Sequence, residues 1–354
     1  MAATSGTPAR GGTGTARRVT AAALGLMITS CGAPNVVGPG VRAASPAGPA
    51  GIASPAQTGP FAPLTGTPAP ADVASRPAVA LAIAGSHPTG LSQADVVYEE
   101  ISSPIRYLAV YQSRQAASAG PVTGTRPADG MIVSVLHAAV GYSGGTTGFI
   151  DVLHHQHVTD MGTGTHPALY RDGAAGLTVD TARLRQRRAS PPPALLPFRG
   201  EGLVTSRQLA SSGTWRPASV RIDIPGQQPQ RWRYDAASRC WQVTAGPPAG
   251  CVANLIIQTV PYKQVFLSHR TGVTVPSARV LGAGRAVVLS STAVTSLSGQ
   301  QGVAVHATWT KPGAGDLTNF TSPKGDPVEF APGRTWVILV PPGTRAVTSG
   351  KSQG

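Results

Sequence analysis

Two carboxylates and two guanidiniums, Asp95, Glu99, Arg106 and Arg126, fall within one short stretch of the chain. In ADVVYEEIS, strand alternation puts Asp95, Val97, Glu99 and Ile101 on one face. Acids sharing a face repel unless cations lie between them. Arg106 falls on the next strand-like run, IRYLAVYQS, and Arg126 stands just before Pro127, which fits the first position of a helix. Two chemistries are open to this group. Arg126 and nearby amides could grip an anion at the helix start. Alternatively, the four could form an internal ion-pair network joining strand to helix. The network is the expectation, because charges in a core must be paired.

Three other clusters are candidates. GYSGG, residues 141–145, is a literal G-x-S-x-G between a short strand, AVGYS, and a helical run. A hydrolase would use Ser143 as nucleophile, with His269 or His306 and Asp223 as base and acid, although no spacing selects those partners. Asp151, His154 and His155 share one helical face, with His157 following, and such a face can hold zinc. Histidines at a helix end also simply complement its dipole. No second ligand cluster accompanies them, so no cofactor is expected. RLRQRR, residues 183–188, reads as a solvated helix end, with an anion-docking patch as the other possibility.

The elements that must position these residues are mixed at first. PAVALAIA is a buried-strand run, and helices are expected over residues 127–138, 146–157 and 179–188. From about residue 220 the pattern becomes strands: VRIDI, RWRYD, CWQVT, VANLIIQTV, RAVVLS, GVAVHATW and TWVILV. The fold class is α+β, a mixed α/β part (76–200) followed by a mostly antiparallel β part (201–345).

Ahead of these lies a different kind of sequence. Arg10, Arg17 and Arg18 precede the apolar run AAALGLMI, which is too short to span a bilayer. This is a secretory signal pattern. It ends in Ile28-Thr29-Ser30-Cys31, which has the form of a bacterial lipobox, so residues 1–30 read as a lipoprotein signal peptide and Cys31 as the lipidated residue. Residues 31–75 are Pro, Ala, Gly, Ser and Thr with scarcely a charge, a tether spanning roughly 40 Å as a coil. The other two cysteines, Cys240 and Cys251, flank the turn-rich AGPPAG between strand-like runs and are expected to form a disulfide.

The 354 residues carry a net charge of +14, and residues 1–30 hold three arginines and no acid, leaving +11 beyond them. An exported basic chain meets anionic envelope polymers and lipid head groups rather than nucleic acid. Part of the charge follows from a composition rich in Arg, Ala, Pro and Gly.

Several stretches resemble the YerB-like family of bacterial envelope lipoproteins, a domain of unknown function with N- and C-terminal parts. They are Pro63-Leu64-Thr65-Gly66, Arg76-Pro77, GLSQADVVYE (90–99), IRYLAVYQS (105–113), GPVTGTRP (120–127), ATWTK and PGRTWVILVP. The resemblance covers roughly residues 63–342. It implies a layered α+β sandwich and no established enzyme activity, with a Gly-rich turn of no fixed serine role at GYSGG. This chain departs from the family pattern in three places. Ala84-Gly85 replaces an Asp-Asn pair, Thr123 replaces an arginine, and LTVDT (177–181) replaces a segment of the type Arg-x-Ala-Pro-His-Asn. The expected function is a membrane-anchored, extracytoplasmic lipoprotein acting as a non-catalytic binding or assembly module. Its partners would be the membrane, through the Cys31 lipid, and anionic envelope polymers or other envelope proteins. The Ser143 hydrolase and the His-cluster metal protein are the alternatives.

Overall fold

A computed structural model describes residues 59–185, 190–198, 214–268, 271–291 and 302–350. The first half contains α1 (Ala71–Ala74), β1 (Val79–Ala84), β2 (Val96–Glu100), β3 (Arg106–Tyr111), α2 (Pro127–Val133), β4 (Ala139–Gly141), α3 (Thr147–His154) and β5 (Thr159–Asp160). The small hairpin β6 (Tyr170–Gly173) and β7 (Gly176–Val179) and the single turn α4 (Thr181–Leu184) complete it. The second half is strands. β8 (Thr214–Trp215), β9 (Ser219–Asp223), β10 (Gln230–Asp235), β11 (Cys240–Ala245) and β12 (Cys251–Val252) come first. Then follow β13 (Asn254–Thr259), β14 (Tyr262–Ser268), β15 (Val273–Ala278), β16 (Gly282–Ser291), β17 (Gly302–Lys311), β18 (Asn319–Thr321), β19 (Thr335–Val340) and β20 (Arg345–Ser349).

Runs such as VALAIA, NLIIQT and TWVILV are apolar without alternation, the mark of strands covered on both faces. They form the middle of one sheet, ordered β18-β17-β16-β13-β19-β2-β3-β1-β4-β5, with β8 joined to β17. On one face, Ala80, Ala82, Leu108, Val110 and Val337 pack against Ile132 and Val133 of α2 and Leu153 of α3. On the other, Val79, Leu81, Tyr107, Trp336 and Ile338 pack with Val220, Ile222, Trp232 and Trp241 of a second sheet, β12-β11-β10-β9-β20. Helices, central sheet and small sheet make the layered α+β sandwich that the family resemblance implies. Among the described residues no helix is long and apolar enough to cross a membrane.

The two sequence halves share the central sheet. β2 runs parallel to β19, with Glu99 opposite Ile338. The boundary near residue 200 divides sequence rather than space, and Ala53–Gly354 forms one compact unit.

The start of the fold needs correction. It was expected at Arg76, yet Ala62 and Leu64 are fully buried and Phe61 bridges Pro68. Gly66 explains why this polar-looking stretch is ordered: at φ +63° it lets the chain turn against the Phe198 ring, where a Cβ would fall 2.3 Å from Cγ. The helix expected over 179–188 is only one turn, α4, and residues 186–189 lie outside the described residues.

Cys240 and Cys251 are disulfide-bonded across the adjacent strands β11 and β12. Replacing both with serine is expected to cost roughly 2–3 kcal/mol, the chain-entropy value for so short a loop. Urea melts of the double variant check the cost. Two free thiols in the unreduced native protein would contradict the bond itself.

Candidate functional site

The four charged residues singled out by sequence do not form one network. Side chains alternate across a strand, so Asp95 and Glu99 face the small sheet while Glu100 faces the helices. Arg106 lies directly opposite Glu100 in the β2–β3 ladder. Its guanidinium forks onto Asp129, Nη1 to Oδ1 at 2.7 Å and Nη2 to Oδ2 at 2.5 Å, and Nη1 also reaches Glu100 Oε2 at 3.2 Å. Nη2 donates as well to the Gly124 carbonyl. All three side chains are buried. Burial alone would lower the Arg106 pKa, but the two carboxylates outweigh it and hold the guanidinium above its ordinary value. Burial raises Glu100 to about 7, only partly offset by Arg106, and its Oε1 has no partner among the described residues.

Asp129 owes its place to α2. It is the third helical residue, and its Oδ2 accepts from the Arg126 amide at 2.8 Å and from Thr125 Oγ1 at 3.0 Å. The carboxylate that caps the helix is thus the one that neutralises Arg106.

Glu99 lies on the opposite side of the sheet without a cation. Its Oε2 accepts from Trp336 Nε1 at 2.8 Å and its Oε1 from Gln230 Nε2, while Gln230 Oε1 accepts from Trp232 Nε1. Burial raises Glu99 to about 7 against the pull of those two donors. The cluster joins β2 and β19 of the central sheet to β10 of the small one. Asp95 is separate again: it accepts from the Gln112 and Ser113 amides and from Ser113 Oγ, fixing the chain beyond β3.

Arg126 is the accessible member. It is half-buried, and its guanidinium has no ion pair or hydrogen bond among the described residues, lying 6.0 Å from the Phe149 ring. Burial and then repulsion from Arg106 lower its pKa. It stands where the carboxyl ends of the parallel strands β1 and β4 open, beside the loop after β4: Thr125 N donates to Gly144 O and Ser143 N to Thr123 O. In open α/β sheets ligands bind at such ends. Three further segments of the chain also meet here. Ala84 N donates to Pro121 O, Thr123 N to Ala82 O, and Val122 N to Leu177 O. The rim they form is lined by Ala84, Gly85, Thr123 and Leu177.

The alternatives fare differently from their sequence appearance. Ser143 is not on a strained elbow: positive φ falls on Gly144 and Gly145, and α3 begins only at Thr147 with Thr146 as its cap. His306 stacks on Trp215 at 4.4 Å on β17, with six strands between it and β4 and therefore roughly 34 Å away. Asp223 accepts from Arg221 in the other sheet, and His269 lies outside the described residues. The histidines diverge. His154 Nε2 meets Asp160 Oδ2 at 2.7 Å, His155 Nδ1 meets the Asp151 carbonyl, and His157 packs edge-on to His137. Among the described residues no three His, Cys, Asp or Glu side chains converge as metal ligands. In the 183–188 run, Arg185 donates to Pro77 O and Gln112 O, so it is partly internal; Arg187 and Arg188, like Cys31, lie outside the described residues.

Sequence reading missed Glu100, Asp129, Gln230, Trp336 and Arg334. Register supplied a signal for the first two: Glu100 is the residue a short hairpin sets against Arg106, and Asp129 follows Arg126-Pro127 at the capping spacing. Nothing local marks Arg334. Buried, it donates to the carbonyls of Leu91, Ala94, Ala249 and Cys251, tying the β1–β2 connection to the disulfide hairpin.

Two family models match the chain: the N-terminal domain of the proteins of unknown function DUF3048 over residues 64–184, and its C-terminal domain over 218–337. No curated protein matches significantly. Among solved structures, the crystal structure of the YerB protein from Bacillus subtilis superposes with a TM-score of 0.60 at 17% identity, covering 81% of this chain and 99% of that one. That likeness is one of fold. With both domain models matched in order along one shared sheet, the chain belongs to the DUF3048 family.

Proposed function

We propose that the protein is an exported lipoprotein, held at the membrane through Cys31, whose folded body is a non-catalytic binding or assembly module. The observation that carries this reading is the Cys240–Cys251 disulfide. Such bonds persist in oxidising compartments outside the cytoplasm. It leaves Cys31 as the remaining cysteine of the chain, at the end of the signal-like run. The acids and bases of the core favour binding over catalysis, since Asp95, Glu99, Glu100, Arg106 and Asp129 are engaged with one another or with backbone and indole donors. A ligand reaching the open ends of β1 and β4 meets Arg126, not a nucleophile–base pair.

Cys31→Ala is expected to abolish labelling by a palmitate analogue and to shift the protein out of the membrane fraction. Undiminished labelling of the variant would reject the anchor.

A further inference from the structure

The outward face of the small sheet carries a row of arginines that nothing described above uses. On β9 and β10, Val220, Ile222, Gln230 and Trp232 point into the core, which turns Arg221, Arg231 and Arg233 to solvent. The ladder sets Arg221 directly opposite Arg231. Arg345 on the edge strand β20 lies opposite Asp223, one outward position along from Arg221. Cross-strand neighbours are about 5 Å apart and next-but-one residues about 7 Å, so four guanidiniums share a small, nearly flat area. Two acids face the same way. Asp223 accepts from Arg221 at 2.7 Å, and Asp235 is engaged by Gln242. Arg231, Arg233 and Arg345 have no ion pair among the described residues.

Like charges set directly opposite one another on a sheet destabilise it. A polyanion laid across the strands removes that repulsion, and arginine forks match phosphate oxygens two at a time. Among the described residues Val347 is the large apolar side chain exposed on this face, and one such group gives a bilayer little to bury. We propose that this face, Arg221, Arg231, Arg233 and Arg345, is a docking surface for a linear phosphate-bearing polymer. The identity of the partner class rests on the exported binding-module reading, but the surface itself does not depend on the anchor.

The test uses the full chain carrying Cys31→Ala, titrated calorimetrically with long-chain inorganic polyphosphate over a range of sodium chloride concentrations. The triple variant Arg221→Gln/Arg231→Gln/Arg233→Gln should bind about tenfold more weakly or worse, with its salt dependence shallower by about one unit of slope for each arginine that contacts phosphate. A control triple, Arg183→Gln/Arg279→Gln/Arg285→Gln, removes equal charge from exposed sites elsewhere and should bind nearly as the parent does. Equal loss in both triples would reduce the effect to net charge and overturn the proposal. So would weakened binding to phosphatidylglycerol vesicles with polyphosphate binding intact, which would make the occupant a membrane. Thermal melts establish folding, and the single Arg231→Gln, expected to bind several-fold more weakly, decides the matter if the triple is unstable. Loss of Cys31 labelling tests the anchor separately, so the two readings can fail independently.

Discussion

Replacing Arg106 with methionine is expected to lower folding stability by roughly 3–5 kcal/mol, the cost of breaking a buried ion pair from one side. The methionine fills most of the volume but leaves Asp129 and Glu100 buried with no cation between them. Asp129 keeps its bonds to Thr125 and the Arg126 amide, so helix α2 still starts in place, and the cost is electrostatic rather than a lost cap. Neutralising the acids as well, with Arg106→Met/Glu100→Gln/Asp129→Asn, should recover more than half of the loss, because the amides retain hydrogen-bonding capacity without the charge. Arg126→Ala provides the contrast. Half-buried and without an ion pair among the described residues, Arg126 feels more repulsion from Arg106 than attraction from Asp129 or Glu100, so its loss should cost little beyond its contact with Phe149, about 1 kcal/mol. Urea denaturation of the three variants ranks these effects. If Arg106→Met melts like the parent, or if Arg126→Ala is the more damaging change, the network has been assigned to the wrong arginine.

Placing Arg126, Asp95 and Glu99 in that network is what the sequence invites, and the structure pairs Arg106 with Glu100 and Asp129 instead. The strands, the helix opened by Pro127, the cysteine pair and the α+β class are legible because each is written locally, in alternation, capping or spacing; the layering is legible only through the family resemblance. The partner of a buried charge is not. Glu99 and Glu100 are adjacent and chemically identical, yet one step along a strand reverses the face, so Glu100 meets an arginine and Glu99 meets one indole and one side-chain amide. Gln230 and Trp336 reach Glu99 from more than a hundred residues away, through a sheet in which β2 neighbours β19. Such a pairing leaves no mark near Glu99. The GYSGG motif misled for a related reason: the letters of an elbow were present, but the positive φ that makes one belongs to the glycines after Ser143.

Between about pH 5 and pH 7.5 the protein is expected to lose stability as pH rises, the reverse of what salt-bridged carboxylates produce. Glu99 is the main reason. Its carboxyl is raised from 4.5 to about 7 by burial, with no cation to offset the penalty. Below the ordinary value it is protonated in the folded and unfolded states alike, and the folded state loses nothing. Between the two values the unfolded chain releases the proton while the folded chain keeps it, so each step upward in pH favours unfolding. Above the folded value the loss levels off at roughly 3 kcal/mol, from the size of the shift. Glu100 titrates in the same direction over the same window, raised by burial and only partly held down by Arg106. Asp160 does not interfere, since its pKa is depressed and its contribution is lost only in stronger acid. Lys311, lowered to about 8 by burial, acts mainly above the window. Glu99→Gln removes the first titration and keeps an acceptor for the Trp336 indole. Its stability should therefore vary less across the window, and at the upper end it should match or exceed the parent. Urea midpoints at four pH values, parent against variant, read this directly. A parent that gains stability with rising pH, or a variant whose profile parallels the parent's, would mean that Glu99 is ionised in the fold and is held by its two N–H donors alone.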